Sequence, residues 1–160
     1  MSAAGLIDRL RARGAWVATA ESCSGGLLAA AFTDIAGASD VFGYGVVTYS
    51  NQAKMQLLQV GKETLARYGA VSEETAREMA SGLLALSGAD LALATTGIAG
   101  PGGGSAEKPV GLAYIAAGGR ERILVRRCLF AGERDAVRRQ TVAAALALAE
   151  EYLKQTEQGE

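Results

Sequence analysis

The chain has 160 residues, 49% hydrophobic and 21% charged, with a net charge of −1 and no histidine. That length and composition fit one compact domain with a sizeable core and exclude a disordered chain. The near-zero charge excludes a general pull on nucleic acid or an acidic membrane. Two cysteines, Cys23 and Cys128, are too few for a disulfide framework or a four-ligand zinc site. No apolar run reaches membrane-spanning length or forms a secretion signal. A cytoplasmic protein is expected, with no cofactor or metal and no nucleic-acid or membrane partner.

Ser2 to Arg13 places Leu6, Ile7 and Leu10 on one face and stops at Gly14, predicting a short amphipathic helix. Residues 15–20 read as a buried strand, 25–34 as a helix packed through Leu27, Leu28 and Phe32, and 34–40 as a loop. Phe42 to Tyr49 predicts a second strand. Ser50-Asn51 then caps a short helix over 52–58. Residues 61–68 suggest another helical piece, and Ser72-Glu73-Glu74 opens a helix to about Leu86.

Leu91 to Thr95 reads as an apolar strand, and the glycine-rich stretch 96–109, which holds both prolines, as a long loop. Val110–Ala117 and Arg122–Phe130 form a hairpin pattern across Gly118-Gly119. Asp135 to Leu153 predicts an Ala-rich helix, followed by a polar tail, with 155–160 expected to be disordered. Helices between the early strands require crossovers, hence a three-layer α/β/α sandwich with a mixed, mostly parallel sheet in a single domain over 1–160. Ligands in such folds sit beyond the carboxyl ends of the strands. The turn after 15–20, the segment after 42–49 and the loop after 91–95 all lie on ends of that kind.

The turn Glu21-Ser22-Cys23-Ser24-Gly25-Gly26 follows a strand and opens a helix, where unpaired N–H groups attract an anion or a developing oxyanion. Without histidine, the base for a nucleophile here must be lysine or a carboxylate. Lys54 is the candidate. It sits about one turn inside a helix beginning near Ser50, against the helix dipole, and burial would lower its pKa further. Ser22, Ser24 and Cys23 all compete as nucleophile. Strand alternation places the two serines on one side and Cys23 on the other, facing inward. Glu21 is read as orienting the lysine or accepting from a substrate amide, and Tyr49 as relaying a proton or orienting the nucleophile. The 95–105 segment lacks the Lys-Ser/Thr ending of a P-loop, yet its donors suit one phosphate. The arginines at 120, 122, 126, 127, 134, 138 and 139 read mainly as a solvated face.

Five segments together carry a specific signature: Ala20 to Gly26, Val47 to Lys54, Gly69 to Ser72, Thr96 to Pro101 and Lys108 to Gly111. With Arg134 to Gln140 they resemble the C-terminal domain family of the competence/damage-inducible protein CinA, over roughly residues 5–153. Stand-alone members of that family are nicotinamide-nucleotide amidohydrolases. The resemblance implies deamidation of nicotinamide mononucleotide to nicotinate mononucleotide and ammonia in pyridine-nucleotide salvage. It also implies a catalytic Ser–Lys pair, carried onto Ser22 and Lys54, with Tyr49 beside them and Thr96 as the loop hydroxyl. Ser24 stands where many relatives have threonine, which keeps the hydroxyl. The pyrophosphatase activity assigned to the separate N-terminal domain of full-length members is not expected here. Substrate contacts are expected from Glu21, Ser24, Gly25, Gly26, Thr96, Gly97 and Gly100. Arg138 or Arg139 is expected on the phosphate, in a homo-oligomer whose neighbouring subunit supplies the arginine. The alternative reading is a non-catalytic nucleotide- or protein-binding module linked to competence or the DNA-damage response.

Overall fold

The computed structural model describes residues 2–159. One sheet has the order β2-β1-β3-β4-β5. Its strands are β1 Val17–Glu21, β2 Phe42–Val47, β3 Leu91–Gly97, β4 Leu112–Gly118 and β5 Ile123–Leu129. β1 pairs in parallel with β2 and β3, while β4 pairs antiparallel with β3 and β5. Four strands therefore point one way and β4 alone opposes them, the mixed, mostly parallel sheet that the crossovers required.

The helices are α1 Ala3–Arg13, α2 Leu27–Thr33, α3 Asn51–Leu58, α4 Lys62–Tyr68, α5 Glu73–Ser87 and α6 Arg134–Gln158. Alternation along the strands sends side chains to both faces, so each face buries its own core. Val17, Leu91, Leu93, Ile115 and Ala117 pack with α1, α2 and α6. Ala18, Ala20, Ala92, Ala94 and Ala116 pack with α3, α4 and α5. The small residues on this second face let α5 lie close to the sheet. Gly82 continues that economy of space: a Cβ there would stand 1.7 Å from the Leu58 carbonyl oxygen of α3.

Both expected serine caps are present. Ser50 Oγ accepts from the Ala53 N–H at 3.0 Å and Ser72 Oγ from the Thr75 N–H at 3.1 Å. Several boundaries differ from the sequence expectation, three of them with a clear physical cause. β2 ends at Val47 rather than Tyr49, because Thr48 to Ser50 turn the chain into α3. β4 starts at Leu112 rather than Val110, since Pro109 has no N–H and Gly111 adopts φ +94°. The polar tail expected after Leu153 is helical to Gln158, held by tertiary ion pairs: Glu157 bonds Arg9 and Arg13 of α1, each at 2.7 Å. Glu160 lies outside the described residues. Among the described residues, no helix is long and apolar enough to cross a membrane.

The parallel strands β2, β1 and β3 bring their carboxyl ends to one rim. Glu21 stands opposite Val47 on one side and Thr95 on the other. The chain leaves β1 towards β2 on one flank and later inserts β3 on the other. The rim above β1 is thus the switch point of the sheet, where open α/β folds bind ligands.

Candidate active site

At this rim, Ser22, Cys23, Tyr49, Lys54, Thr96, the 97–103 loop and Arg134 line a cleft. A second cleft, at the opposite end of β1 and β2, is lined by Trp16, Val17, Gly43 and Tyr44 with Ser87, Gly88 and Ala89. No charged side chain lines it, whereas Lys54 and Arg134 line the first.

Lys54 is the centre of the site. Ser50 caps α3, which fixes the helix and carries Lys54 one turn in. The side chain is 1% exposed, and its Nζ donates to Ser22 Oγ at 2.9 Å and to the Thr48 carbonyl at 2.7 Å. The Tyr49 carbonyl lies at 3.4 Å. Burial pushes the ammonium down from 10.5 to about 8, since desolvation penalises its charged form. Among the described residues, no carboxylate bonds Lys54 to restore the charge. The pair Lys54–Ser22 is therefore an amine that gives up its proton near neutrality, in hydrogen-bond contact with a hydroxyl.

The sequence left Ser22, Ser24 and Cys23 open as nucleophiles, and the geometry separates them. Ser24 is fully buried, with its Oγ 2.7 Å from both Glu21 Oε1 and Thr95 Oγ1. The strand ends at Glu21 and the chain turns directly after Ser22, the Gly25 N–H donating to the Ser22 carbonyl at 3.1 Å, so Ser24 faces Glu21 and Thr95 rather than Lys54. Cys23 packs inward as expected: it is buried, its thiol bonds Thr141 of α6, and burial pushes that thiol up to about 11, away from the reactive thiolate.

Glu21 lies elsewhere than expected. Its carboxylate is fully buried, with Oε1 accepting from the Leu28 N–H at 2.7 Å and Oε2 from the Ala29 N–H at 3.0 Å. It touches neither Lys54 nor the cleft lining. The start of α2, read from sequence as the oxyanion or anion site, is thus occupied by the protein's own carboxylate. Donors remain one turn earlier. The N–H groups of Ser22, Gly25 and Leu27 bond the carbonyls of Thr95, Ser22 and Ser24. Those of Cys23 and Ser24 donate to no oxygen among the described residues. These two N–H groups follow Ser22 directly along the chain.

Tyr49 is 63% exposed at the cleft mouth, and its hydroxyl accepts from Arg134 at 3.2 Å rather than meeting Ser22. Thr96 is buried, and its Oγ1 donates to the Ala70 carbonyl at 2.7 Å. Gly97 and Gly100 line the cleft, whereas Gly25, Gly26 and Arg138 do not. Arg138 donates through Nε and Nη2 to the Cys23 and Ser24 carbonyls, both at 3.1 Å. Arg139 pairs with Asp135 on the solvent side of α6. The guanidinium that does reach the cleft is Arg134, which also donates to the Gly100 carbonyl at 2.8 Å. Sequence reading missed it. A cation as the first residue of a helix opposes the dipole, the same local violation that singled out Lys54.

The model of the CinA C-terminal domain matches residues 2–153. The chain belongs to the CinA C-terminal domain family. The nicotinamide-nucleotide amidohydrolase PncC of Escherichia coli (strain K12) is 54% identical over 149 residues, covering 92% of this chain and 90% of that relative. A putative competence-damage inducible protein of Caldanaerobacter subterraneus subsp. tengcongensis is 51% identical over 149 residues. There the match covers 93% of this chain but 36% of the relative, so the chain spans about a third of such longer family members. Among solved structures, the competence damage-inducible protein A of Klebsiella pneumoniae superposes with a TM-score of 0.92 at 45% identity, covering 95% of this chain and 94% of that one. The α/β sandwich is therefore that of the CinA superfamily.

Proposed function

We propose that this CinA-family domain is an amidohydrolase that deamidates nicotinamide mononucleotide by a Ser–Lys mechanism. The observation that carries the reading is the 2.9 Å contact between a buried Lys54 amine and Ser22 Oγ. The stand-alone relatives named PncC, matched over nine-tenths of both chains, support the substrate. In the reactive form, neutral Lys54 takes the Ser22 proton as Oγ attacks the carboxamide carbon. The tetrahedral oxyanion accepts from the Cys23 and Ser24 N–H groups, which donate to no protein oxygen among the described residues. Lys54, now an ammonium, gives its proton to the departing nitrogen, which leaves as ammonia, and Ser22 is left esterified. Water then attacks the ester, Lys54 takes its proton, and Ser22 Oγ leaves with that proton restored. The carboxylate product and free enzyme result.

Arg134, at the mouth of the cleft and joined to Tyr49 and Gly100, suits the substrate phosphate as a forked donor. We place the reaction in the cytoplasm, where the free thiols Cys23 and Cys128 stay reduced. Ammonia release measured on the mononucleotide, the riboside and the dinucleotide tests this reading. Turnover is expected on the mononucleotide, with a higher KM on the riboside. Tight mononucleotide binding without ammonia would instead establish a binding module.

A further inference from the structure

Arg138 carries a guanidinium that the reaction outlined above leaves without a role. It rises from α6, one turn after Arg134, and meets the nucleophile turn without lining the cleft. Its Nε bonds the Cys23 carbonyl and its Nη2 the Ser24 carbonyl, both at 3.1 Å. The Ser24 carbonyl also takes the Leu27 N–H at 3.0 Å. The Cys23 carbonyl belongs to the same peptide unit as the Ser24 N–H, which donates to no oxygen among the described residues. A trans peptide holds its C=O and N–H antiparallel. Fixing the carbonyl on Arg138 therefore turns the N–H away from α6. A charged donor on a carbonyl also polarises the peptide, making its N–H a stronger donor.

We infer that Arg138 is a positioning residue, which orients and polarises the Cys23–Ser24 peptide so that the Ser24 N–H stabilises the tetrahedral oxyanion. This replaces the phosphate role expected for Arg138 from sequence. It rests on the amidohydrolase reading, since the oxyanion arises only there. The half-buried side chain and its two carbonyl acceptors suit an internal strut better than a ligand contact. Gly25 allows the approach: a Cβ there would stand 3.1 Å from Nη2.

The test compares Arg138→Lys and Arg138→Ala with the native chain, using ammonia release from the mononucleotide and the riboside. Losing one oxyanion donor outright lowers kcat about 10²- to 10³-fold, so loosening it should lower kcat roughly tenfold to a hundredfold. The loss is expected to be equal for both substrates, with KM for the nucleotide unchanged. Millimolar guanidinium should restore part of the activity of Arg138→Ala, which a general folding defect would not allow. A rise in KM confined to the nucleotide, or an unchanged kcat, overturns the inference and leaves the amidohydrolase reading standing. A readout free of activity is the amide resonance of Ser24. In Arg138→Lys it should shift further than that of Leu27, and an unmoved Ser24 amide also overturns the inference. That measurement decides the strut even if the native chain releases no ammonia, a result that would count against the amidohydrolase reading itself.

Discussion

Ser22→Ala is expected to lose ammonia release by on the order of 10⁴-fold, and Lys54→Met by on the order of 10³-fold, with both chains folded. Each variant removes one half of a single proton-transfer unit, so the double variant should be scarcely worse than Ser22→Ala alone. The two differ in stability. Ser22→Ala removes a small hydroxyl that is 8% exposed and should change the melting temperature little. Lys54→Met removes a 1% exposed amine whose charged form burial disfavours. The fall from 10.5 to about 8 corresponds to about 3 kcal/mol of strain against folding at neutral pH. The sign follows from proton counts. Between about 8 and 10.5 the folded chain has released a proton that the unfolded chain retains, so native stability rises with pH there. Methionine of similar length is thus expected to melt at or above the native temperature at pH 7, while activity collapses. A variant that loses activity because it unfolds would contradict the assignment of Lys54 as base.

Glu21→Gln is expected to be the most destabilising of the conservative substitutions near the site. The native carboxylate accepts three hydrogen bonds, from Leu28 N–H, Ala29 N–H and Ser24 Oγ, inside a fully buried space. Glutamine keeps the shape but turns one acceptor into a donor that faces another donor. A buried group left unsatisfied costs about 1–3 kcal/mol, and more when a charged partner is lost. A loss of about 3 kcal/mol in chemical denaturation is therefore expected, roughly 6–12 °C in melting temperature for a chain of this size. Activity should fall with it, since Ser22 follows Glu21 directly and the same network holds the turn. A Glu21→Gln chain as stable as the native one but with a raised KM would return Glu21 to the substrate.

The sheet, the capped helices and the identity of the rim were legible in the sequence because they depend on local rules. Apolar runs bounded by glycine marked the strands, and Ser50 and Ser72 marked helix starts. Lys54 was legible because it violates such a rule. What escaped was tertiary. Glu21 reads as a strand-end carboxylate until β1 is known to lie between β2 and β3, where an unpaired charge is untenable and the α2 N–H groups supply its partners. Alternation placed Ser24 on the side of Ser22, whereas the turn after Glu21 carries its hydroxyl to Glu21 and Thr95. The end of α6 looked like a polar tail because its ion pairs reach Arg9 and Arg13, far away along the chain. Arg134 was passed over, and Arg138 was expected on the phosphate, for the same reason. Both lie on one face of α6, and only the packing of that helix decides which meets the cleft.

The most direct test of a Lys54 base is the pH dependence of the ammonia burst in a single turnover, over pH 6 to 10. The burst rate reports Ser22 acylation alone. It should rise about tenfold per pH unit and level off near pH 8, where Lys54 becomes neutral. In Lys54→Met the residual rate should lack that inflection. A native burst rate that stays flat across pH 8, or the same inflection persisting in Lys54→Met, would contradict proton transfer from Ser22 to Lys54.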